Sequence, residues 1–233
     1  MNTFKSCPAQ WKYRYIDKAP GIYVPTHHMD LGGLVHSAIQ DYFEHAMEKP
    51  TKAIEITERV DSSFDKVIGN KFVGQPEMMK KLRSSLKNFK EFELMRARKW
   101  KTYQPTFIEK DIRGDEFRGI LDFYSEPEQT VIDWKTGYKQ NLNDSDIIQA
   151  EVYRFLLEKL GYKVNKVFFV ILTTGSVLQA QLQKDGWILE QLNSIHSAID
   201  SQSFPAKPNR YCGNCVYQIV CEFSNTTLWD DYI

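Results

Sequence analysis

The chain has 233 residues, with 30 lysines and arginines against 30 aspartates and glutamates, 42% hydrophobic and 26% charged residues. That balance belongs to an ordinary globular protein and excludes a disordered, fibrous or polyanion-coating chain, while leaving room for a local basic groove. No run approaches the roughly 18 apolar residues of a membrane span, and the start, MNTFKSCPAQWKYRYIDK, lacks the apolar core of a signal peptide, so a cytoplasmic protein with no membrane partner is expected.

From Asp30, available as an N-cap, to Met47, the residues Leu31, Leu34, Val35, Ala38, Ile39, Tyr42, Phe43, Ala46 and Met47 recur at helical spacing. A second helical pattern from about Gln75 to Trp100 carries Lys80, Lys81, Arg83, Lys87, Lys90, Arg96, Arg98 and Lys99. This run reads either as a solvated face balanced by Glu77, Glu91 and Glu93 or as a wall for phosphates. After Pro105 the character changes to short β-rich stretches, Thr106 to Ile112, Phe117 to Tyr124 and Thr130 to Thr136, which predict three strands. Helical periodicity returns from Leu142 to Leu160. A strand pair, Lys166 to Leu172 and Ser176 to Leu182, turns around Gly175, and a last helix runs from about Gly186 to Ser201. Helices before and after a run of strands predict an α/β fold with a mixed central sheet.

The segment RGILDFYSEPEQTVIDWKTG is the most informative. A period of two puts Asp133 and Lys135 on one face with Val131, and Ile132 and Trp134 on the other. If the hairpin loop is Glu126 to Gln129, Ser125 pairs with Thr130 and Asp122 falls opposite Asp133. Two carboxylates with Cβ atoms about 4.5–5.5 Å apart repel unless a cation sits between them. Hard oxygen ligands suit Mg²⁺ or Mn²⁺, which hold a phosphate oxygen and acidify a bound water. Lys135 reaches the same place and can position the water or offset transition-state charge.

Cys212, Cys215 and Cys221 form C-x2-C-x5-C, with Cys7 alone near the N-terminus. Four thiols suffice for one tetrahedral or cubane site, and spacing alone does not separate Zn²⁺ from an iron-sulfur cluster; unrelated packing cysteines are the plainer alternative. Joining Cys7 to Cys212 would close about 200 residues, worth about 5 kcal/mol on the chain-entropy model. Lys207, Arg210 and Tyr211 flank the triad, and Lys12 and Arg14 follow Cys7, so the region could also present a DNA-contacting surface.

Gly119-Ile120-Leu121-Asp122 followed by Ile132-Asp133-Trp134-Lys135-Thr136-Gly137 resembles the RecB-like branch of the PD-(D/E)xK nuclease superfamily. His36 in Gly33-Leu34-Val35-His36, the pair Gln149 and Tyr153, and Cys7-Pro8 with the C-terminal triad resemble further features of that branch, which includes the CRISPR-associated RecB-type exonucleases and the AddB nuclease domain. Leu121 stands where the superfamily has proline, a departure common in this branch. The resemblance implies a restriction-endonuclease-like mixed sheet flanked by helices. It implies one domain over 1–233, with 1–30 and 203–223 around a cluster, a helical part at 31–104 and a nuclease core at 105–202. It implies that His36, Asp122, Asp133 and the Trp134 backbone carbonyl bind Mg²⁺ or Mn²⁺, and that Asp122, Asp133 and Lys135 are catalytic. Glu109, on the preceding strand, is a further candidate carboxylate behind these ligands or on a second metal. Gln149 and Tyr153 would contact DNA or the Lys135 loop, and Cys7, Cys212, Cys215 and Cys221 would hold a [4Fe-4S] cluster, with Zn²⁺ as the alternative.

The expected activity is exonuclease action on single-stranded or frayed DNA ends, in recombination, repair or CRISPR adaptation. No Gly-x4-Gly-Lys-Ser/Thr loop occurs, so any unwinding would come from a partner, such as a helicase or a recombination or CRISPR-adaptation protein, or from the cluster region melting an end. Endonuclease or RNase action, or a catalytically silent DNA-binding and assembly module, are the other readings.

Overall fold

The structure, a computed structural model, describes residues 1–22, 27–45, 52–209 and 212–223. In chain order its elements are α1 (Asn2–Ser6), α2 (Pro8–Tyr15), α3 (His27–His45), α4 (Ala53–Val67), α5 (Pro76–Lys99), β1 (Phe107–Arg113), β2 (Arg118–Ser125), β3 (Thr130–Lys135), α6 (Asp144–Lys159), β4 (Lys166–Ile171), β5 (Ser176–Gln179) and α7 (Trp187–Asp200). Contacts group the chain into two compact units, one of residues 26–183 and one combining 1–25 with 184–233. No helix among the described residues is long and apolar enough to cross a membrane.

The larger unit is built on a mixed five-stranded sheet in the order β1-β2-β3-β4-β5. Only the β3–β4 pair is parallel, and α6 is the crossover between those two strands. One face carries a core with α3, α4 and α5, in which Phe123, Ile132 and Trp134 meet Val35, Ile39, Phe43, Phe89 and Phe92. The other face packs Leu121, Tyr124, Val131 and Phe169 against Tyr153, Leu156 and Leu157 of α6. The predicted alternation in β3 holds, since Val131 faces α6 while Ile132 and Trp134 face the three-helix side. The smaller unit has its own cluster of Phe4, Ile195 and Ala198 with Trp11, Leu192 and Phe204.

Several expectations are corrected. Asp30 does not cap α3, because the helix begins at His27 and Asp30 lies in its first turn; Ala46 and Met47 fall outside the described residues. Helix α4 was not anticipated, although Ile56, Val60 and Phe64 are buried at i, i+4 and i+8. The N-terminal segment, to which the sequence reading assigns no helix, forms α1 and α2, with Pro8 at the first turn of α2 where a missing N–H costs nothing.

The basic run divides. Arg96 is fully buried: Nε and Nη2 donate to the two Glu93 carboxylate oxygens at 2.8 Å each, and Nη1 donates to the Tyr103 carbonyl at 2.6 Å. Its guanidinium also lies 4.3–5.5 Å from the ring centres of Phe43, Trp100, Tyr103 and Phe123. Arg96 therefore ties α5 to β2 one residue from Asp122. Arg96→Met, which leaves Glu93 buried without its cation, is expected to destabilise the protein by about 3–5 kcal/mol in urea unfolding. A loss below about 1 kcal/mol would mean that the pair does not clamp these elements.

Candidate metal and nuclease site

The β2–β3 hairpin has the predicted register, Ser125↔Thr130, Tyr124↔Val131 and Phe123↔Ile132, and the ladder stops there. The next step would set Asp122 opposite Asp133. Instead the Trp134 N–H donates to Asp122 Oδ2 at 2.8 Å, a carboxylate taking the place of a ladder carbonyl. The strands part at the position where the two acids lie.

A second irregularity meets this one. On β2, Gly119 and Leu121 face α6 but Phe123 faces the three-helix side, so the alternation slips by one residue at Asp122. On β1, Ile108 faces the three-helix side and Ile112 faces α6, so the slip recurs opposite it. Between them Glu109 has φ +43°, a left-handed conformation costing a non-glycine residue about 1–3 kcal/mol. The paired slips bring Glu109 and Asp122 to the point where α3 delivers His36.

His36 Nδ1 lies 3.1 Å from Glu109 Oε1 and 3.6 Å from Asp122 Oδ2, while Nε2 lies 2.9 Å from the Trp134 carbonyl. One donor atom from each of His36, Glu109 and Asp122 lies within 4.8 Å of the others, a spacing able to hold one metal ion. A carbonyl only accepts, so Nε2 carries a proton. Burial opposes the charged ring, but the Glu109 hydrogen bond and the charges of Asp122, Glu109 and Asp133 outweigh it and raise the His36 pKa to about 9. Burial first, then Asp133, pushes the Asp122 carboxyl well above the usual carboxylate range, with His36 pulling the other way.

Asp133 is 1% exposed and faces α6. Its Oδ1 accepts from Gln149 Nε2 at 2.7 Å and from the Tyr153 hydroxyl at 3.0 Å. Its Oδ2 lies 2.7 Å from Lys135 Nζ, an ion pair whose angles do not meet hydrogen-bond geometry, so this buried oxygen has no aligned donor. Lys135 Nζ donates to Gln149 Oε1 at 2.9 Å and lies 5.3 Å from the centre of the Phe169 ring. Gln149 also donates to the Tyr153 hydroxyl at 2.6 Å, so it joins the lysine, the acid and the phenol.

The structure thus brings His36, Asp122, Asp133, Trp134, Lys135, Gln149 and Tyr153 together. It also gives Glu109, weighted lightly in the sequence, a place as close to His36 as any other acid. The donor set fits a hard divalent cation: clustered carboxylate oxygens, one imidazole, and an acid oxygen without an aligned donor. In the smaller unit Cys7, Cys212, Cys215 and Cys221 line one pocket with Gln10, Tyr13 and Tyr217. Backbone N–H groups of Lys207 and Asn209 donate to the sulfurs of Cys7 and Cys212 at 3.5 and 3.2 Å. Burial, then the other three cysteines against a backbone donor, pushes the Cys215 thiol up. A cationic centre among the sulfurs would relieve that repulsion. Arg210 and Tyr211 lie outside the described residues.

A family model described as the PD-(D/E)XK nuclease superfamily matches residues 1–222. The chain belongs to the PD-(D/E)XK nuclease superfamily. That is a family of divalent-metal-dependent nucleases with DNA as substrate. No curated protein matches the chain.

The raised pKa values predict how metal affinity depends on pH. A group whose pKa lies above the solution pH holds its proton, and a metal ligand must give it up. Mn²⁺ binding is therefore expected to release protons and to tighten as pH rises from 6 to 8, by about tenfold per unit for each proton displaced. Calorimetry in buffers of different ionisation enthalpy reads the proton count. A count of zero with pH-independent affinity would contradict the charged state assigned to His36.

Proposed function

We propose that this chain is a divalent-metal-dependent DNA exonuclease acting on single-stranded or frayed ends. The observation that carries this reading is the fork between β2 and β3, where three carboxylates, an imidazole and a lysine converge. In this reading His36, Asp122, Asp133 and the Trp134 carbonyl hold Mg²⁺ or Mn²⁺, and Glu109 joins them. When bound, the ion polarises the phosphodiester and acidifies a water.

The chain's own groups do the rest. Lys135 brings its positive charge to the scissile phosphate, where it offsets the charge that builds on the oxygens. Gln149 fixes the direction of that amine and, with Tyr153, holds Asp133 through Oδ1, which leaves Oδ2 to the ion pair with Lys135. Supporting the reading of Cys7, Cys212, Cys215 and Cys221 as ligands of a [4Fe-4S] cluster are their shared pocket and the N–H groups aimed at two of the sulfurs. The setting is DNA recombination, repair or CRISPR adaptation in the cytoplasm, with a helicase or an adaptation protein as partner.

Asp133→Asn and Lys135→Ala are each expected to lower Mn²⁺-dependent cleavage by roughly 10²-fold or more while circular dichroism stays unchanged. The assay uses single-stranded, duplex and closed circular DNA labelled at either end. Parental rates in both variants would sink the residue assignment, and cutting of closed circles would make the enzyme an endonuclease. Separately, anaerobically purified protein is expected to be brown with absorption near about 400 nm, and Cys215→Ala to lose the colour and melt earlier. A colourless parent containing only Zn²⁺ would replace the cluster by a zinc site.

A further inference from the structure

The loop of residues 136–143 leaves β3 directly after Lys135 and ends at the N-cap of α6, the helix that carries Gln149 and Tyr153. It is anchored along its length. The Thr173 hydroxyl donates to the Gly137 carbonyl at 3.1 Å. Thr136 Oγ1 packs against Gly32 of α3 so closely that a Cβ there would meet it at 3.1 Å. Lys139 Nζ reaches both oxygens of buried Asp146 at 2.5 Å, and Asp146 and Asn143 form the reciprocal cap of α6.

Within this loop Tyr138 is 72% exposed. Among the described residues its ring contacts no other aromatic ring or cation, and its hydroxyl accepts a hydrogen bond from Gln140 Nε2 at 2.8 Å. An exposed tyrosine is by itself ordinary. Here it stands on a loop held by one buried acid and two neighbouring elements, and its Cα lies no more than about 11 Å of chain from that of Lys135.

We propose that Tyr138 is a stacking platform for an unpaired nucleobase flanking the phosphate at Lys135. The inference rests on the nuclease reading of that site and adds a residue that would favour the unpaired strand. Every base has a π-face, so stacking is tolerant of sequence. A base inside a duplex has its faces covered by neighbours, so the platform favours a single strand or a frayed end. The anchored loop limits the ordering cost of binding, because the backbone that carries the ring is held before the strand arrives.

The test is equilibrium binding of fluorescent single-stranded DNA to the full chain without added divalent metal, which keeps the strand intact, alongside cleavage assays with Mn²⁺. Tyr138→Ala is expected to weaken single-strand binding by about 5- to 150-fold, with Tyr138→Trp restoring it and Tyr138→Leu failing to. Abasic positions along the strand should weaken the parent and leave Tyr138→Ala unmoved. Equal affinity of parent and Tyr138→Ala, or rescue by leucine as good as by tryptophan, overturns the platform even if the parent cleaves DNA. Tyrosine-dependent binding in a parent that cleaves nothing would keep the platform and remove the nuclease reading.

Discussion

The hydrogen bond from the Trp134 N–H to the Asp122 carboxylate holds the rest of the site in place. Backbone amides in a sheet normally pair with carbonyls, and a ladder that simply ended inside the protein would leave a buried donor unmet. The carboxylate satisfies that donor and lets β2 part from β3 after Phe123↔Ile132. The gap is polar because its walls are Asp122, Asp133 and the Trp134 carbonyl, while apolar side chains flank it on both faces of the sheet. Buried carboxylates need counter-charge, and without a metal His36 and Lys135 supply it.

Support comes from both layers because alternation points neighbours in opposite directions. Asp133 and Lys135 face α6 and meet Gln149, Tyr153 and Phe169, whereas Trp134 turns to α5 and packs edge-on to Phe89 and Phe92. His36 comes from the three-helix side, and strands that kept the alternation of Phe123 and Ile108 would turn Asp122 and Glu109 to the α6 side instead. The slip at both residues presents them to His36, and the left-handed backbone of Glu109 is the local cost. The Glu109–His36 bond offsets part of that cost, so strain and electrostatics are linked at one residue.

What the sequence made legible follows from which signals are local. Strand period, turn length and hence hairpin register were readable, and with them the face shared by Asp133 and Lys135. The slip at Asp122 was not, because it depends on β1 and β2 breaking alternation together, and Glu109 looks like any half-exposed strand glutamate until its φ is known. Helix α4 escaped because Ile56, Val60 and Phe64 are separated by charges and serines, a narrow stripe that only α3 and α5 turn into a buried face. The reciprocal cap of α6 by Asn143 and Asp146, and the hold of Asp146 on Lys139, appear only in the structure.

Charge shows the same separation of composition from placement. Equal numbers of acids and bases made the chain neutral, yet its charges are spent in different ways. Arg96 and Glu93 vanish into the core as a pair, and Lys90 is taken by Asp61. Lys80, Arg83, Arg98 and Lys99 remain exposed on α5. At the fork Glu109, Asp122 and Asp133 face two cationic side chains, so if all five are ionised a net charge of −1 remains on a buried site. Exposed pairs elsewhere, such as Arg113 and Arg118 on Asp111, are screened by water and contribute little to stability. The carboxylates of the fork are largely shielded from water, so they are screened less, and a divalent cation would supply the counter-charge that His36 and Lys135 leave incomplete.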